Sequence, residues 1–397
     1  MEALIRKSIR KINETDTSFR RYLYDKIDWS DRLIFIKGAR GTGKTTLLLQ
    51  HLKEIAGTSD EALYVSLDDL WFTSNSLVDL ADRFVSMGGK YLYIDEVHKY
   101  PGWSQEIKNI YDDHKYLNMV VTSSSAMQVY NQRFDLSRRA MEYDLMELSL
   151  REFIKLKYGF DFLVLEPELI LSDHVALSLR INEKIKPIKV FNEYCTMGAY
   201  PYFLENPDNY LQRLANTITT ILESDLPAVL NIDYSSVVKL KKLLYIIASS
   251  VPYKPNISEL SIRTGIARDT LLKYLDYLQQ AHLILMLKNT KGGNSILTKP
   301  EKIYLHNSNL MAALTTDSMN QGTIRETFVF NQLLSVGKVS YSSDVDFIFN
   351  DKYHFEIGGK NKTGKQLQGL TDAYIIADNI EAGFKNKIPA WIFGFLY

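Results

Sequence analysis

Cysteine, long apolar runs and an excess of one charge are all scarce in this sequence. The only cysteine among 397 residues is Cys195. A lone thiol can form neither an internal disulfide nor a thiolate cage for a metal, so nothing indicates an oxidising compartment and we expect a cytoplasmic protein. The longest apolar stretches, such as Leu243 to Val251, fall short of the ~18 residues of a membrane-spanning helix. We therefore expect no membrane contact.

The balance of charge and the length of the chain indicate the kind of protein and the number of its domains. The 47 Lys and Arg residues cancel the 47 Asp and Glu residues, which excludes a protein that coats nucleic acid through overall positive charge but still allows a local basic face. The opening stretch MEALIRKSIRKINETD has no apolar core and reads as an amphipathic helix rather than a secretory signal. At ~100 to 200 residues per domain, the length predicts two to four domains.

Residues 32–147 alternate short β-branched or aromatic runs with helical patterns, which predicts a parallel sheet covered by helices in an α/β fold. The five predicted strands are Leu33 to Lys37, Leu63 to Leu67, Tyr91 to Asp95, Met119 to Thr122 and Tyr143 to Glu147. The pattern then turns mostly helical, later gives two short helices with a strand, and ends in a second α/β segment. We predict domains at 1–150, 151–235 (a helical lid or connector), 236–300 (a winged helix) and 301–397.

A glycine-rich segment between the first strand and a helical run carries the clearest chemistry. Residues 38–45 spell GxxxxGKT, directly after LIFIK and directly before TLLLQHLKEI, which is the context that a phosphate-binding loop requires. Backbone amides of such a loop and the positive end of the next helix attract phosphate oxygens. Lys44 would reach the β- and γ-phosphates, and Thr45 would bind Mg²⁺. The predicted nucleotide-binding residues are Gly38, Ala39, Arg40, Gly41, Thr42, Gly43, Lys44, Thr45 and Thr46.

Two carboxylates follow an apolar strand at Tyr91 to Asp95, on a segment predicted to share the sheet with the loop. Asp95 suits Mg²⁺ through its bound waters, and Glu96, beyond the strand end, suits a general base that activates water. Adjacent side chains of a strand point to opposite sides, so the two acids should face different partners. The simpler alternative is a solvated strand end.

Two further candidates come from strand ends. The run NMVVT is followed by Ser123, Ser124 and Ser125, where a hydroxyl could contact the γ-phosphate, since ligands of parallel sheets lie at the carboxyl ends of strands. An ordinary serine-rich turn fits equally well. Arg138 and Arg139 precede the fifth strand, where a guanidinium could meet charge that develops during phosphoryl transfer. A solvated basic pair is the alternative.

The strings GARGTGKTT, YLYIDEVHKYPGW, VVTSSSA and LSRRAMEYDLMELSLREF, in this order, resemble the bacterial and archaeal AAA-type ATPases that carry a C-terminal restriction-endonuclease-like domain. The resemblance implies a P-loop NTPase sheet of the AAA type and hydrolysis of MgATP that rearranges the C-terminal modules. It also implies a γ-phosphate sensor at Ser123 or Ser124 and an arginine finger at Arg139, with Arg138 as the alternative. A finger supplied by a neighbour would make the protein a homo-oligomer.

Residues 256–284 resemble a helix-turn-helix that turns at Gly265. Helical spacing places Leu260, Leu271, Tyr274, Leu275 and Leu278 inside. The same spacing places Arg268, Asp269, Lys273 and Asp276 outside, a balanced charge set, whereas a reader of duplex DNA usually shows net positive charge. DNA and protein therefore both remain open as partners of the predicted winged helix.

The last hundred residues resemble the nuclease-like domain of the same family. The matching acids are Glu326, Asp346 and Glu356, which would hold a metal ion for phosphodiester cleavage. The active form of that fold has a lysine two positions after the last acid, where this chain has Gly358. The nearest lysine is Lys360, on the same face if the strand continues. We expect a degenerate nuclease fold that is used for binding, with ATP-dependent cleavage as the alternative.

Overall fold

The computed structural model describes residues 1–57, 59–124, 136, 138–230, 232–289, 299–315 and 320–397. The chain divides into two compact units, Met1–Glu147 and Leu148–Tyr397. Within the described ranges, no helix has the length and apolar character that a membrane crossing requires. Ser125 and residues 290–298 of the predicted wing lie outside the described residues.

The first unit contains one parallel sheet in the strand order β2-β3-β4-β1-β5. Its elements are α1 (Glu2–Glu14), β1 (Leu33–Lys37), α2 (Lys44–Ile55), β2 (Ala62–Ser66), α3 (Leu77–Ser86), β3 (Tyr91–Asp95), α4 (Trp103–Asp113), β4 (Asn118–Ser123) and β5 (Met141–Asp144). The prediction of five strands is confirmed. The predicted bounds of the fifth strand, Tyr143 to Glu147, are wrong. Pairing with β1 begins at Met141, and regular strand structure ends at Asp144.

Strands β1 to β4 are buried on both faces of the sheet, which explains why they are nearly continuous apolar runs, whereas β5 at the edge is partly exposed. Leu33 and Phe35 of β1 face the core that α3 and α4 cover, while Ile34 and Ile36 face α2. The predicted amphipathic helix at the start of the chain is α1, which buries Leu4, Ser8 and Ile12 one turn apart.

The strand order decides which residues meet at the carboxyl edge of the sheet. Strand β4 lies between β1 and β3, so the end of β4 separates the loop after β1 from Asp95 at the end of β3. Lys37 pairs with Ser123 across β1 and β4, and Ser66 pairs with Asp95 across β2 and β3. The strand ends are therefore level, and the side chains that follow them share one edge.

The second unit has a mixed five-stranded sheet, β12-β11-β10-β9-β8, and a two-stranded antiparallel sheet, β6-β7. Its helices are α5 (Leu150–Tyr158), α6 (Pro167–Asn182), α7 (Pro187–Met197), α8 (Tyr210–Thr220), α9 (Leu226–Leu230), α10 (Tyr234–Ala248), α11 (Ile257–Thr264), α12 (Arg268–Gln280), α13 (Ser308–Leu314) and α14 (Gln321–Leu334). Its strands are β6 (Ile284–Leu287), β7 (Lys302–Leu305), β8 (Val339–Ser340), β9 (Phe347–Phe349), β10 (Tyr353–Gly358), β11 (Ala373–Ala377) and β12 (Lys387–Pro389).

Helices α11 and α12 meet at Gly265, whose φ of 67° lies in the left-handed region that favours glycine. The side chains predicted to face inward are buried. The prediction that Asp276 faces outward is wrong, because it is 8% exposed and accepts a hydrogen bond from Gln280. Asp276 follows the buried Leu272 by one turn, so α12 buries a wider stripe than the leucine pattern indicated, and this burial raises the pKa of Asp276. Strand β7 pairs with β6 across the predicted boundary at residue 300.

Candidate functional site

The glycine-rich loop of residues 38–43 joins β1 directly to α2. Gly41 and Gly43 have φ angles of 85° and 96°, which side chains with a Cβ rarely adopt. A Cβ on Gly38 would overlap the carbonyl oxygen of Leu145. Glycine is therefore required at these positions for the loop to turn from the strand into the helix N-terminus.

Lys44, the first residue of α2, points its ammonium back into the loop. Its Nζ donates to the carbonyl oxygens of Gly38 at 2.8 Å and Ala39 at 2.9 Å. The residue is only 4% exposed, and a buried ammonium needs such acceptors to offset its lost hydration. Phosphate oxygens in the loop would be stronger acceptors for the same ammonium.

Asp95 is the centre of a hydroxyl cluster at the end of β3. Its Oδ2 accepts hydrogen bonds from Thr45 Oγ1 at 2.6 Å and from the Tyr64 hydroxyl at 2.8 Å, and its Oδ1 accepts one from Thr122. Asp95 is 2% exposed, and burial together with its negative charge raises the pKa of Tyr64. The structure thus brings together Thr45 and Asp95, the two residues predicted to bind Mg²⁺.

Tyr64 and Thr122 were not among the residues predicted from the sequence. Thr122 lies one position before the serines that the sequence singled out, and Tyr64 is the middle residue of β2. Both carry a hydroxyl on a strand that ends at the loop edge, which is the signal that could have identified them.

Glu96 faces a different partner from its neighbour. The residue has a φ of 56°, so the chain leaves the strand in a left-handed turn at this point. Its Oε2 lies 3.4 Å from Nε2 of His98, and that nitrogen lies 2.8 Å from Oγ of Ser124. His98 is buried, with 1% of its side chain exposed. The predicted general base and one predicted sensor are therefore joined through a histidine that the sequence analysis did not consider.

The two arginines before β5 differ in their surroundings. Arg138 is exposed, whereas the Nε and Nη2 atoms of Arg139 each donate to one carboxylate oxygen of Asp112 at 2.9 Å. Arg139 precedes the first residue of β5, and Asp112 lies in the last turn of α4, so both are at the amino edge of the parallel sheet. The structure does not bring Arg139 to the loop of its own chain.

Arg21 is a contact of the loop that the sequence analysis missed. Its Nη1 donates to the carbonyl oxygen of Thr42, and its Nη2 donates to those of Met146 at 2.7 Å and Glu147 at 2.9 Å. The guanidinium is buried, with the residue 4% exposed. It therefore ties the loop to the chain that follows β5. Arg21 lies in an irregular segment between α1 and β1, where no motif indicates its role.

An aromatic group fixes α2 against the sheet. The His51 ring stacks on Trp29 with ring centroids 3.6 Å apart, and its Nδ1 lies 2.5 Å from the Tyr93 hydroxyl on β3. Burial lowers the pKa of His51 to about 4, so the imidazole is neutral at physiological pH. These contacts hold the helix whose N-terminus faces the loop.

In the second unit, the three predicted acids contact two lysines that were not predicted. Lys302 Nζ lies 3.2 Å from Asp346 and 3.7 Å from Glu326, and Lys362 pairs with Glu356. Burial is the largest cause that raises the pKa values of Glu326 and Glu356.

The prediction for Lys360 is wrong. Strand β10 ends at Gly358, and the Lys362 N–H then bonds to the Gly359 carbonyl in a turn. Lys360 instead lines an open pocket of about 680 Å³ together with Arg325 and Asp378. Cys195 is buried, and burial raises the pKa of its thiol to about 12, in agreement with a packed thiol rather than a nucleophile.

The groups at this edge of the sheet in the first unit fit a nucleoside triphosphate with Mg²⁺. It combines a glycine loop at a helix N-terminus, a buried lysine in that loop, and a hydroxyl and a carboxylate 2.6 Å apart, which are oxygen ligands that Mg²⁺ prefers. With the strand order described above, these features define a P-loop nucleotide-binding domain. Residues 30–154 match the family model of an AAA domain. The first unit thus carries an AAA-type P-loop domain.

Further comparisons cover other or larger parts of the chain. Residues 188–321 match a domain of unknown function, DUF8612. The chain is 26% identical to the uncharacterized protein MJ1637 of Methanocaldococcus jannaschii, over 84% of this chain and 77% of that protein. It is 23% identical to MJ1544 of the same organism, over 84% and 73%. Among solved structures, AMPPCP-bound DnaA from Aquifex aeolicus is 15% identical with a TM-score of 0.26 (65% of this chain, 84% of that chain), and a katanin structure is 15% identical with a TM-score of 0.30 (63% and 71%).

Proposed function

We propose that this chain binds MgATP at residues 38–46 and hydrolyses it. The observation that carries the proposal is the 2.6 Å contact between Thr45 Oγ1 and Asp95 Oδ2. These side chains come from the two segments that hold Mg²⁺ in P-loop NTPases, and the parallel sheet brings them together at the mouth of the glycine loop.

Each residue then has a separate task. Backbone amides of residues 38–43 and the N-terminus of α2 bind phosphate oxygens, and the Lys44 ammonium moves from the loop carbonyls to the β- and γ-phosphates. Thr45 and Asp95 hold Mg²⁺, which neutralises the negative charge that develops during phosphoryl transfer. Glu96 orients water and accepts its proton, with His98 and Ser124 fixing the direction of its carboxylate.

The position of Arg139 favours hydrolysis within an assembly. Because it lies at the amino edge of the sheet, it cannot approach a phosphate in its own loop, and we propose that it completes the site of a neighbouring protomer. Turnover per protomer should then rise with protein concentration. A turnover that stays slow at every concentration would favour the alternative, a nucleotide-gated binding module with little hydrolysis.

We further propose that residues 236–305 form a winged helix that docks a partner when the nucleotide state changes. With Asp276 buried, the outward residues predicted on α12 reduce to Arg268 and Lys273 against Asp269, two positive charges and one negative. One net charge favours neither duplex DNA nor protein strongly. Binding of a fluorescent duplex by the nucleotide-bound and nucleotide-free protein, repeated at two salt concentrations, separates these partners.

The test of ATP hydrolysis compares Lys44→Ala and Glu96→Gln with the wild type. The lysine change should abolish ATP binding, whereas the glutamine should keep binding and remove turnover, because only Glu96 acts on the water. Lys115→Ala is the matched control, since this exposed residue lies just before β4 at the amino edge of the sheet. Equal losses of ATP affinity in the Lys44 and Glu96 variants would contradict these roles. A separate assay tests the alternative of a nuclease, which metal-dependent nicking of DNA that is lost in Asp346→Ala would support.

A further inference from the structure

The acidic cluster of the second unit consists of Glu326 on α14, Asp346 before β9 and Glu356 in β10. The family resemblance implies a divalent cation among these acids. The residues present do not fit that ion, because the ammonium of Lys302 already lies between two of the carboxylates, 3.2 Å from Asp346 Oδ1 and 3.7 Å from Glu326 Oε2. We propose that Lys302 takes the place of the cation, so that the cluster is an internal ion-pair network and not a metal centre.

Other donors also contact the carboxylates of the cluster. Asp346 Oδ2 accepts a hydrogen bond from the Ile357 N–H at 2.9 Å, and Glu326 Oε2 accepts one from the Tyr304 hydroxyl at 3.0 Å. Glu356 pairs with Lys362. Mg²⁺ demands near-ideal octahedral coordination by oxygen at short distances, and these carboxylates are turned toward nitrogen and hydroxyl donors instead.

Strand β7 supplies two of these donors. Lys302 and Tyr304 are two residues apart, so both side chains leave the same face of the strand, and both contact Glu326. Strand β7 also pairs with β6 through Lys302–Leu305. The network therefore fastens the two-stranded sheet to the module that holds α14 and β10, which is a structural task for residues that resemble a catalytic set.

Burial makes the ammonium necessary. The Lys302, Glu326 and Asp346 side chains are only 12%, 18% and 19% exposed. Two carboxylates in such a place are poorly hydrated and repel one another. A cation between them offsets both costs. Replacing Lys302 by a neutral side chain of similar length should leave room and charge for a divalent or trivalent cation, and so create a metal site that the native chain does not have.

The experiment uses Tb³⁺ luminescence, excited through nearby tyrosine, on the full chain without nucleotide. Tyr304 contacts Glu326 directly, so an ion in the cluster would be sensitised by that ring. The proteins compared are the wild type, Lys302→Met, Asp346→Asn, the double variant that carries both changes, and Lys302→Arg. Lys299→Met is the matched control, because Lys299 is an exposed lysine three positions away.

We expect a several-fold gain of luminescence in Lys302→Met that disappears when Asp346 is also changed. Lys302→Arg and Lys299→Met should match the wild type, and Tb³⁺ at other sites contributes equally to all the proteins. A folded Lys302→Met protein without the gain would overturn the proposal. A wild-type signal that falls in Asp346→Asn alone would also overturn it, and that comparison decides the matter even if Lys302→Met does not fold.

Discussion

Arg21 offers a sharp test of how the phosphate loop is held. Its guanidinium contacts three carbonyl oxygens, that of Thr42 in the loop and those of Met146 and Glu147 after β5. Lysine has a single nitrogen on a flexible stem and cannot reproduce the planar fork that reaches all three. Arg21→Lys should therefore keep the positive charge but leave buried carbonyl groups without a donor.

The size of the effect follows from the hydrogen bonds that a lysine cannot make. A hydrogen bond to a charged group contributes about 1.5 to 3 kcal/mol, so the loss of two would cost at most about 3 to 6 kcal/mol before the structure relaxes. Only the cost of ordering the loosened loop around ATP weakens binding. We take this free energy as about 1 to 2 kcal/mol. That range corresponds to a roughly 5- to 30-fold increase in the dissociation constant for ATP.

The assay is an equilibrium titration of the full chain with a fluorescent ATP analogue, together with thermal unfolding. The matched control is Arg20→Lys, the same change at the neighbouring position, where the guanidinium is partly exposed and pairs with Glu54 at 2.6 Å. The control should bind the analogue within about twofold of the wild type, because surface ion pairs contribute little. If Arg21→Lys folds and binds ATP as tightly as Arg20→Lys, the guanidinium does not organise the loop.

Two further predictions concern histidines of the first unit. The folded pKa of His51 is about 4, against about 6.5 in an unfolded chain, so between these values only the unfolded state takes up the proton and the free energy of unfolding falls as the pH drops. The fall should reach about 3 kcal/mol near pH 4, and denaturant titrations at pH 7 and 4.5 should show a smaller difference in His51→Gln; an equal pH dependence in both proteins would refute the assignment. His98→Gln should lower kcat for ATP about tenfold with little change in KM, because His98 contacts Glu96, the residue that we propose acts on the water. An unchanged kcat would mean that this histidine does not position the base.

The part of the site that could be predicted from the sequence is the part that local patterns encode. Glycines with positive φ, a lysine at the start of a helix and an apolar strand ending in Asp95 all lie within short segments. Thr45 and Asp95 are far apart in the sequence, yet their contact follows from a general rule, since the carboxyl ends of parallel strands lie at one edge of the sheet. The predicted bounds of β1 and β3 match the structure, and those of β2 and β4 differ from it by one residue at each end, whereas the partly exposed β5 was placed too late in the chain.

The missed residues are those whose partners come from segments without a motif. Arg21 follows a helix and precedes a strand, and only the folded chain shows that the Thr42 carbonyl is within its reach. Lys302 is a similar case, because the sequence directs attention to Lys360 after Glu356, whereas the ammonium beside Asp346 comes from a different strand. Asp276 shows the opposite error, in which a charged residue on a helix was assigned to solvent although its neighbours bury it.

Lys44 and Lys302 illustrate why the type of acceptor decides what a buried lysine can do. Lys44 donates to two neutral carbonyl oxygens, which a phosphate can replace at a gain, since an anionic oxygen attracts an ammonium more strongly than a neutral carbonyl oxygen does. Lys302 lies between two carboxylates, and removing it would leave like charges together in a poorly hydrated place. The first lysine is therefore held in a way that an anionic ligand can change. The second is held by the very groups that would otherwise bind a metal, so the same residue type prepares the loop for an anionic ligand and neutralises the acids of the cluster.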